Sequence, residues 1–98
     1  MRYNSDAIVT SIIKNIDNLQ GVSRSDFYVG ITNDVERRLR EHHVEAHQCL
    51  KILEATSKSE AEIAENFLIR AGLNGHPGGG QDDTNIVYCY QITDETIQ

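Results

Sequence analysis

The chain has 98 residues, enough for one small domain and too few for a second lobe, so any active site it builds must be shallow. A formal net charge of −6 disfavours indiscriminate attachment to nucleic-acid backbones as the main role. No apolar run approaches the roughly 20 residues that span a bilayer, and the N-terminus lacks the basic-then-apolar pattern of a secretory signal. The expectation is a soluble, intracellular, cytoplasmic protein without membrane association. Two cysteines, Cys49 and Cys89, are too few for a disulfide framework and are expected as reduced thiols.

The first element is a helix over 6–19, where Ile8, Val9, Ile12, Ile13, Ile16 and Leu19 form a stripe between candidate caps at Asn4, Ser5 and Asp6 and a stop near Gly21. It is structural, an addition to the core that follows. Arg24-Ser25-Asp26 reads as a turn, and Phe27 to Thr32 as a strand whose alternation puts Tyr28 and Gly30 on one face. Asn33 with Glu36 three residues on fits a capping box, opening a helix that runs to about His43. On that helix Arg38 and His42 share a face, and Arg37 is spaced to pair with Glu41. Arg37, Arg38, Arg40, His42 and His43 form a local basic cluster, whereas the acids gather in 54–65 and 82–95.

Gln48 to Ala55 holds a second strand, and Ser57 with Glu60 offers a capping box for a helix over 58–71, ended at Gly72. Asn74 to Asp83 is too rich in glycine to be regular, and Gly78-Gly79-Gly80 reads as a mobile rim; no Gly-Lys-Ser/Thr follows to make it a phosphate loop. Asn85 to Thr93 is the last strand. A parallel α/β sheet would suit this order, but three strands make an unusually small one. The expected fold is α+β: a single domain, 1–98, with a three-stranded mixed or antiparallel sheet flanked by three helices.

Tyr28, Arg38 and His42 form a trio able to hold a phosphate. On a helical wheel of 58–71, Ile63, Ala64, Phe67, Leu68 and Ala71 make the apolar arc, Glu62, Asn66 and Arg70 lie opposite, and Glu65 falls at the edge, half buried. A carboxylate there needs a cation or a metal as partner, or else reaches outward to solvent or an arginine. His43 and His47 would chelate a metal only if the preceding helix continued that far.

These residues resemble the GIY-YIG nucleases. Tyr28-Val29-Gly30 is similar to the second half of the name motif, Arg38 stands ten residues beyond its tyrosine where the family carries an arginine, and His42 matches a frequent histidine. Glu65-Asn66-Phe67-Leu68-Ile69 resembles the helix that bears the family's metal-binding glutamate, so the match covers roughly 27–71. The first motif is absent from its usual place, since Ile16 to Ser25 contains no tyrosine. Cys89-Tyr90-Gln91-Ile92 is similar to the family's first strand, which suggests a circularly permuted sheet with the last strand beside Phe27–Thr32 and Tyr90 in the vacant tyrosine position. Tyr88, on the same face, competes for that position.

The resemblance implies a divalent-metal-dependent DNA endonuclease. Glu65 would hold Mg²⁺ or Mn²⁺, Arg38 would stabilise phosphate charge, and Tyr28 with Tyr90, helped by His42, would orient or deprotonate the attacking water. The alternative is a catalytically inactive relative that binds a nucleic-acid end or a protein partner, or forms a homodimer. The acidic net charge and the missing first motif suit it.

Overall fold

Four consecutive buried residues, Val87 to Tyr90, explain the architecture: a strand apolar on both faces must lie at the centre of a sheet covered on both sides. The computed structural model describes residues 1–76 and 83–98. It contains α1 (Ser5–Asp17), β1 (Phe27–Thr32), α2 (Val35–Glu41), β2 (Cys49–Glu54), α3 (Lys58–Arg70) and β3 (Ile86–Gln91), with short 3₁₀ turns at Arg24–Asp26 and Ala46–Gln48. The strands are ordered β1-β3-β2, and β3 runs antiparallel to both neighbours. The fold is α+β. No helix of the described residues is long and apolar enough to cross a membrane. The predicted glycine rim at Gly78–Gly80 lies outside the described residues.

The two faces of the sheet carry different chemistry. Phe27, Val29, Val87 and Cys89 pack on one face against Ile8, Ile12 and Ile16 of α1 and Ala61, Ala64 and Leu68 of α3. Tyr28, Tyr88 and Tyr90 project from the other, under Leu39 of α2 and Val44. The main apolar core therefore lies on the first face, leaving an aromatic, hydrogen-bonding face for α2 to cover. Cys49 packs with the tyrosine cluster and Cys89 with the opposite core, and both thiols are free.

Several local expectations are corrected. α1 stops at Asp17, and Leu19 lies beyond it, largely exposed. α2 is capped by Asp34 rather than Asn33: the Asp34 carboxylate accepts the Arg37 N–H at 3.1 Å, while Asn33 donates to Asp83 at 3.0 Å. Asp34 wins because it stands one residue closer to the helix and carries the charge that the helix dipole favours. α2 ends at Glu41, His42 caps it, and His43 turns to φ +58°, so His43 and His47 do not share a helix. Glu41 pairs with Arg38, not Arg37.

The Ser57–Glu60 capping box forms only by half. Ser57 Oγ accepts the Glu60 N–H, but the Glu60 carboxylate accepts from the Ser5 N–H at 2.7 Å and ties α3 to the start of α1. The strands β2 and β3 are shorter than 48–55 and 85–93. On α3 the buried stripe is Ala61, Ala64, Glu65 and Leu68, whereas Ile63 and Phe67 are exposed. The wheel is thus rotated: small alanines let α3 approach the sheet and α1 closely, and this turns Glu65 inward.

Candidate functional site

A cleft of about 360 Å³ opens on the tyrosine face. Side chains from four elements line it: Tyr28 from β1, Arg38 from α2, Glu65 from α3 and Tyr88 from β3. Their convergence follows from strand pairing. In the β1–β3 register Tyr28 stands opposite Tyr90 and Gly30 opposite Tyr88. A Cβ at position 30 would overlap the Tyr88 ring and hydroxyl, so the missing side chain of Gly30 lets that ring lie across β1 and carry its hydroxyl toward α2.

His42 is the junction behind the cleft. Its Nε2 lies 2.9 Å from Tyr88 Oη and 3.4 Å from Arg38 Nη2, and its Nδ1 lies 2.5 Å from the Ile97 carbonyl and 3.1 Å from Tyr90 Oη. Its ring centroid is 4.9 Å from that of Tyr28. His42 is the C-cap of α2, still in helical conformation, and its N–H is bonded to the Arg38 carbonyl.

Burial governs the electrostatics. It pushes His42 below its ordinary value, with the Arg38 charge acting the same way and the Ile97 carbonyl opposing, so the ring is neutral at neutral pH. Burial pushes the Tyr88 hydroxyl up to about 12, although the Arg38 hydrogen bond and charge pull it down. Tyr28 and Tyr90 are raised by burial too, with Arg38 again opposing. Glu65, only 3 % exposed, adds negative charge that raises Tyr28 and Tyr88. Arg38 is therefore the cation to which both cleft tyrosines respond, while its outer edge holds Glu41 at 2.7 Å.

The structure thus brings Tyr28, Arg38 and Glu65 to one cleft and sets His42 directly behind it. Tyr90 is as fully buried as Tyr88 but does not line the cleft: it stacks on Tyr28 at 5.3 Å, with its hydroxyl bonded to His42 and Ile97. Tyr88 is the β3 tyrosine that lines the cleft. Sequence reasoning assigned no role to His76, which also lines it, edge-on to Tyr28 at 6.0 Å. Two backbone bonds clamp Asn74 to β1, and Gly75 passes so close that a Cβ would lie 2.8 Å from the Val29 carbonyl oxygen. The one signal for His76 was the glycine before it. The Ile97 contact left no signal, because a backbone carbonyl has no residue preference.

Among the described residues, no group of three or more His, Cys, Asp or Glu side chains is placed to hold a metal ion. Among the described residues that line the cleft, Glu65 is the carboxylate. Comparison with protein-family models, curated proteins and solved structures returns no match.

Proposed function

We propose that the chain is a divalent-metal-dependent DNA endonuclease of GIY-YIG type, with a circularly permuted sheet, working in a reducing intracellular compartment. The observation that supports it is the convergence of Tyr28, Arg38, Glu65 and Tyr88 on one cleft from four separate elements. A carboxylate and a guanidinium lining the same cleft match a hard cation and a phosphodiester in one site.

Glu65 suits Mg²⁺ or Mn²⁺, because such ions are commonly held by one or two carboxylates together with water and substrate phosphate oxygens. Bound there, the ion would stabilise negative charge on the leaving oxygen. Arg38 donates hydrogen bonds to the phosphate, and its pair with the half-exposed Glu41 is weak enough to yield. A tyrosine at about 12 is a poor base alone. Tyr88 overcomes this by handing its own proton to the neutral Nε2 of His42 as it takes one from the attacking water, ending as the phenol beside an imidazolium, while the Arg38 charge steadies the negative charge that develops on its oxygen during the transfer. Tyr28 orients the water and the phosphate. Attack forms the new P–O bond, the leaving oxygen departs with the electrons of the broken one, and solvent protonates it.

Mg²⁺- or Mn²⁺-dependent cleavage of single-stranded, duplex and branched DNA tests this reading, with Glu65→Gln and Arg38→Ala expected to lose it. Activity that survives both substitutions refutes it. A second reading, an inactive domain that binds a nucleic-acid end or a protein, draws on the net charge of −6 and on the hold of Glu41 on Arg38. It prevails if the parent cleaves none of these substrates.

A further inference from the structure

His42 is bracketed by the backbone of a single residue. The Ile97 N–H donates to the His42 carbonyl at 2.8 Å, and the Ile97 carbonyl meets the His42 ring at Nδ1, 2.5 Å away. A turn holds Ile97 there: the Thr93 N–H donates to Thr96 Oγ1 at 3.1 Å, and Thr96 returns a hydroxyl bond to the Thr93 carbonyl at 3.0 Å.

The partners at the two ring nitrogens settle where the proton sits. A carbonyl oxygen only accepts, so the short contact at Nδ1 requires an N–H there. A guanidinium only donates, so Arg38 Nη2 beside Nε2 requires a lone pair there. The remaining bonds agree. Tyr90 donates to the Ile97 carbonyl at 3.4 Å and leaves its own oxygen free to share the Nδ1 proton, and Tyr88 donates to Nε2 at 2.9 Å. An unrestrained neutral imidazole mostly carries its proton on Nε2. In that form His42 would point an N–H at Arg38 and could accept nothing from Tyr88.

We infer that residues 93–97 form a positioning element for the site: the Ile97 carbonyl locks His42 as the Nδ1–H tautomer, so that Nε2 is open to receive the Tyr88 proton. Its value to catalysis rests on the nuclease reading above; the tautomer itself does not. Ile97 acts through His42 and touches no substrate, and its side chain is half exposed and immaterial to the lock.

Long-range proton–nitrogen correlation spectra of the whole ¹⁵N-labelled chain read the tautomer directly, at a pH where imidazoles are neutral. In the parent and in Ile97→Ala, which keeps both backbone groups, His42 Nδ1 should give the protonated signal. Ile97→Pro removes the anchoring N–H, and the signals should exchange toward the Nε2–H form. Turnover should then fall at least roughly tenfold, within the ~10²–10⁴-fold reach of general-base catalysis, with KM little changed. If Ile97→Pro does not fold, the double substitution Thr93→Gly and Thr96→Gly loosens the turn and is read in the same way. An Nε2–H tautomer in the parent overturns the inference, as does an unchanged tautomer in folded Ile97→Pro or in the folded double glycine variant, or a shifted tautomer with unchanged turnover in either. A parent that cleaves no DNA refutes the nuclease reading instead, and the spectra register that failure separately.

Discussion

Removing one phenolic oxygen at a time separates the roles of the two β3 tyrosines. Tyr88→Phe and Tyr90→Phe delete the same atom from equally buried rings of the same strand, so the loss of apolar burial is close to zero in both. Their hydrogen bonds differ. Without the Tyr88 hydroxyl, His42 Nε2 keeps only the long 3.4 Å approach of Arg38, and a buried acceptor loses its good donor. That costs about 1–3 kcal/mol, or roughly 4–24 °C in Tm for a domain of this size. Without the Tyr90 hydroxyl, the Ile97 carbonyl still receives the Nδ1 proton at 2.5 Å, so the cost is the net worth of one bond, about 0.5–1.5 kcal/mol. Activity should part more sharply. Tyr88→Phe removes the group that relays the proton and should lower metal-dependent DNA cleavage by ~10²–10⁴-fold, whereas Tyr90→Phe should leave turnover near that of the parent. Urea or thermal unfolding gives the first pair of numbers and single-turnover cleavage the second. Full activity in Tyr88→Phe with none in Tyr90→Phe would refute the assignment of Tyr88 to the cleft chemistry.

The lowered pKa of His42 makes stability depend on pH with a definite sign. The unfolded ring binds a proton near its ordinary value of 6.5 and the folded ring only at lower pH, so stability should be level above that value and fall as pH drops from 6.5 toward the folded value. Thermal unfolding across that range should show the fall, and His42→Gln should flatten it; an equal fall in His42→Gln would assign the effect to another group. Glu41→Gln should free Arg38 for anions. An exposed pair of this kind is worth about 0.2–1 kcal/mol, so inorganic phosphate should bind roughly 1.4- to 5-fold tighter, as NMR titration of the full chain would register. Unchanged or weaker binding would show that Glu41 does not compete for the guanidinium.

The elements themselves are largely legible in the sequence. Phe27–Thr32 is a strand with the bounds its aromatic and β-branched run implies, and Ser57 caps α3 as its sequence suggests. The departures share one cause: a polar group with two possible partners takes the one that the fold supplies. Glu60 turns from the Ser57 N–H to the Ser5 N–H, Asn33 yields the cap to Asp34 and reaches Asp83, and Glu41 takes Arg38 over Arg37. The wheel of α3 fails for a related reason, since hydrophobicity alone ranks Phe67 above Ala61. Close packing of α3 on α1 and the sheet needs small residues, which turns Glu65 inward and Phe67 outward.

Local periodicity and composition determined on their own the three α-helices and three strands of the described residues, that Tyr28 and Gly30 share a face, and that Arg38 lies one turn before His42. Each of these depends on neighbours a few residues away. Only the tertiary structure decided that β3 lies between β1 and β2, which sets Tyr88 over Gly30 and Tyr90 against Tyr28. It also decided that His76 reaches the cleft and that Ile97 closes on His42. His42 meets Tyr88 across 46 positions of chain and Ile97 across 55, through strand register and backbone bonds that no local pattern encodes.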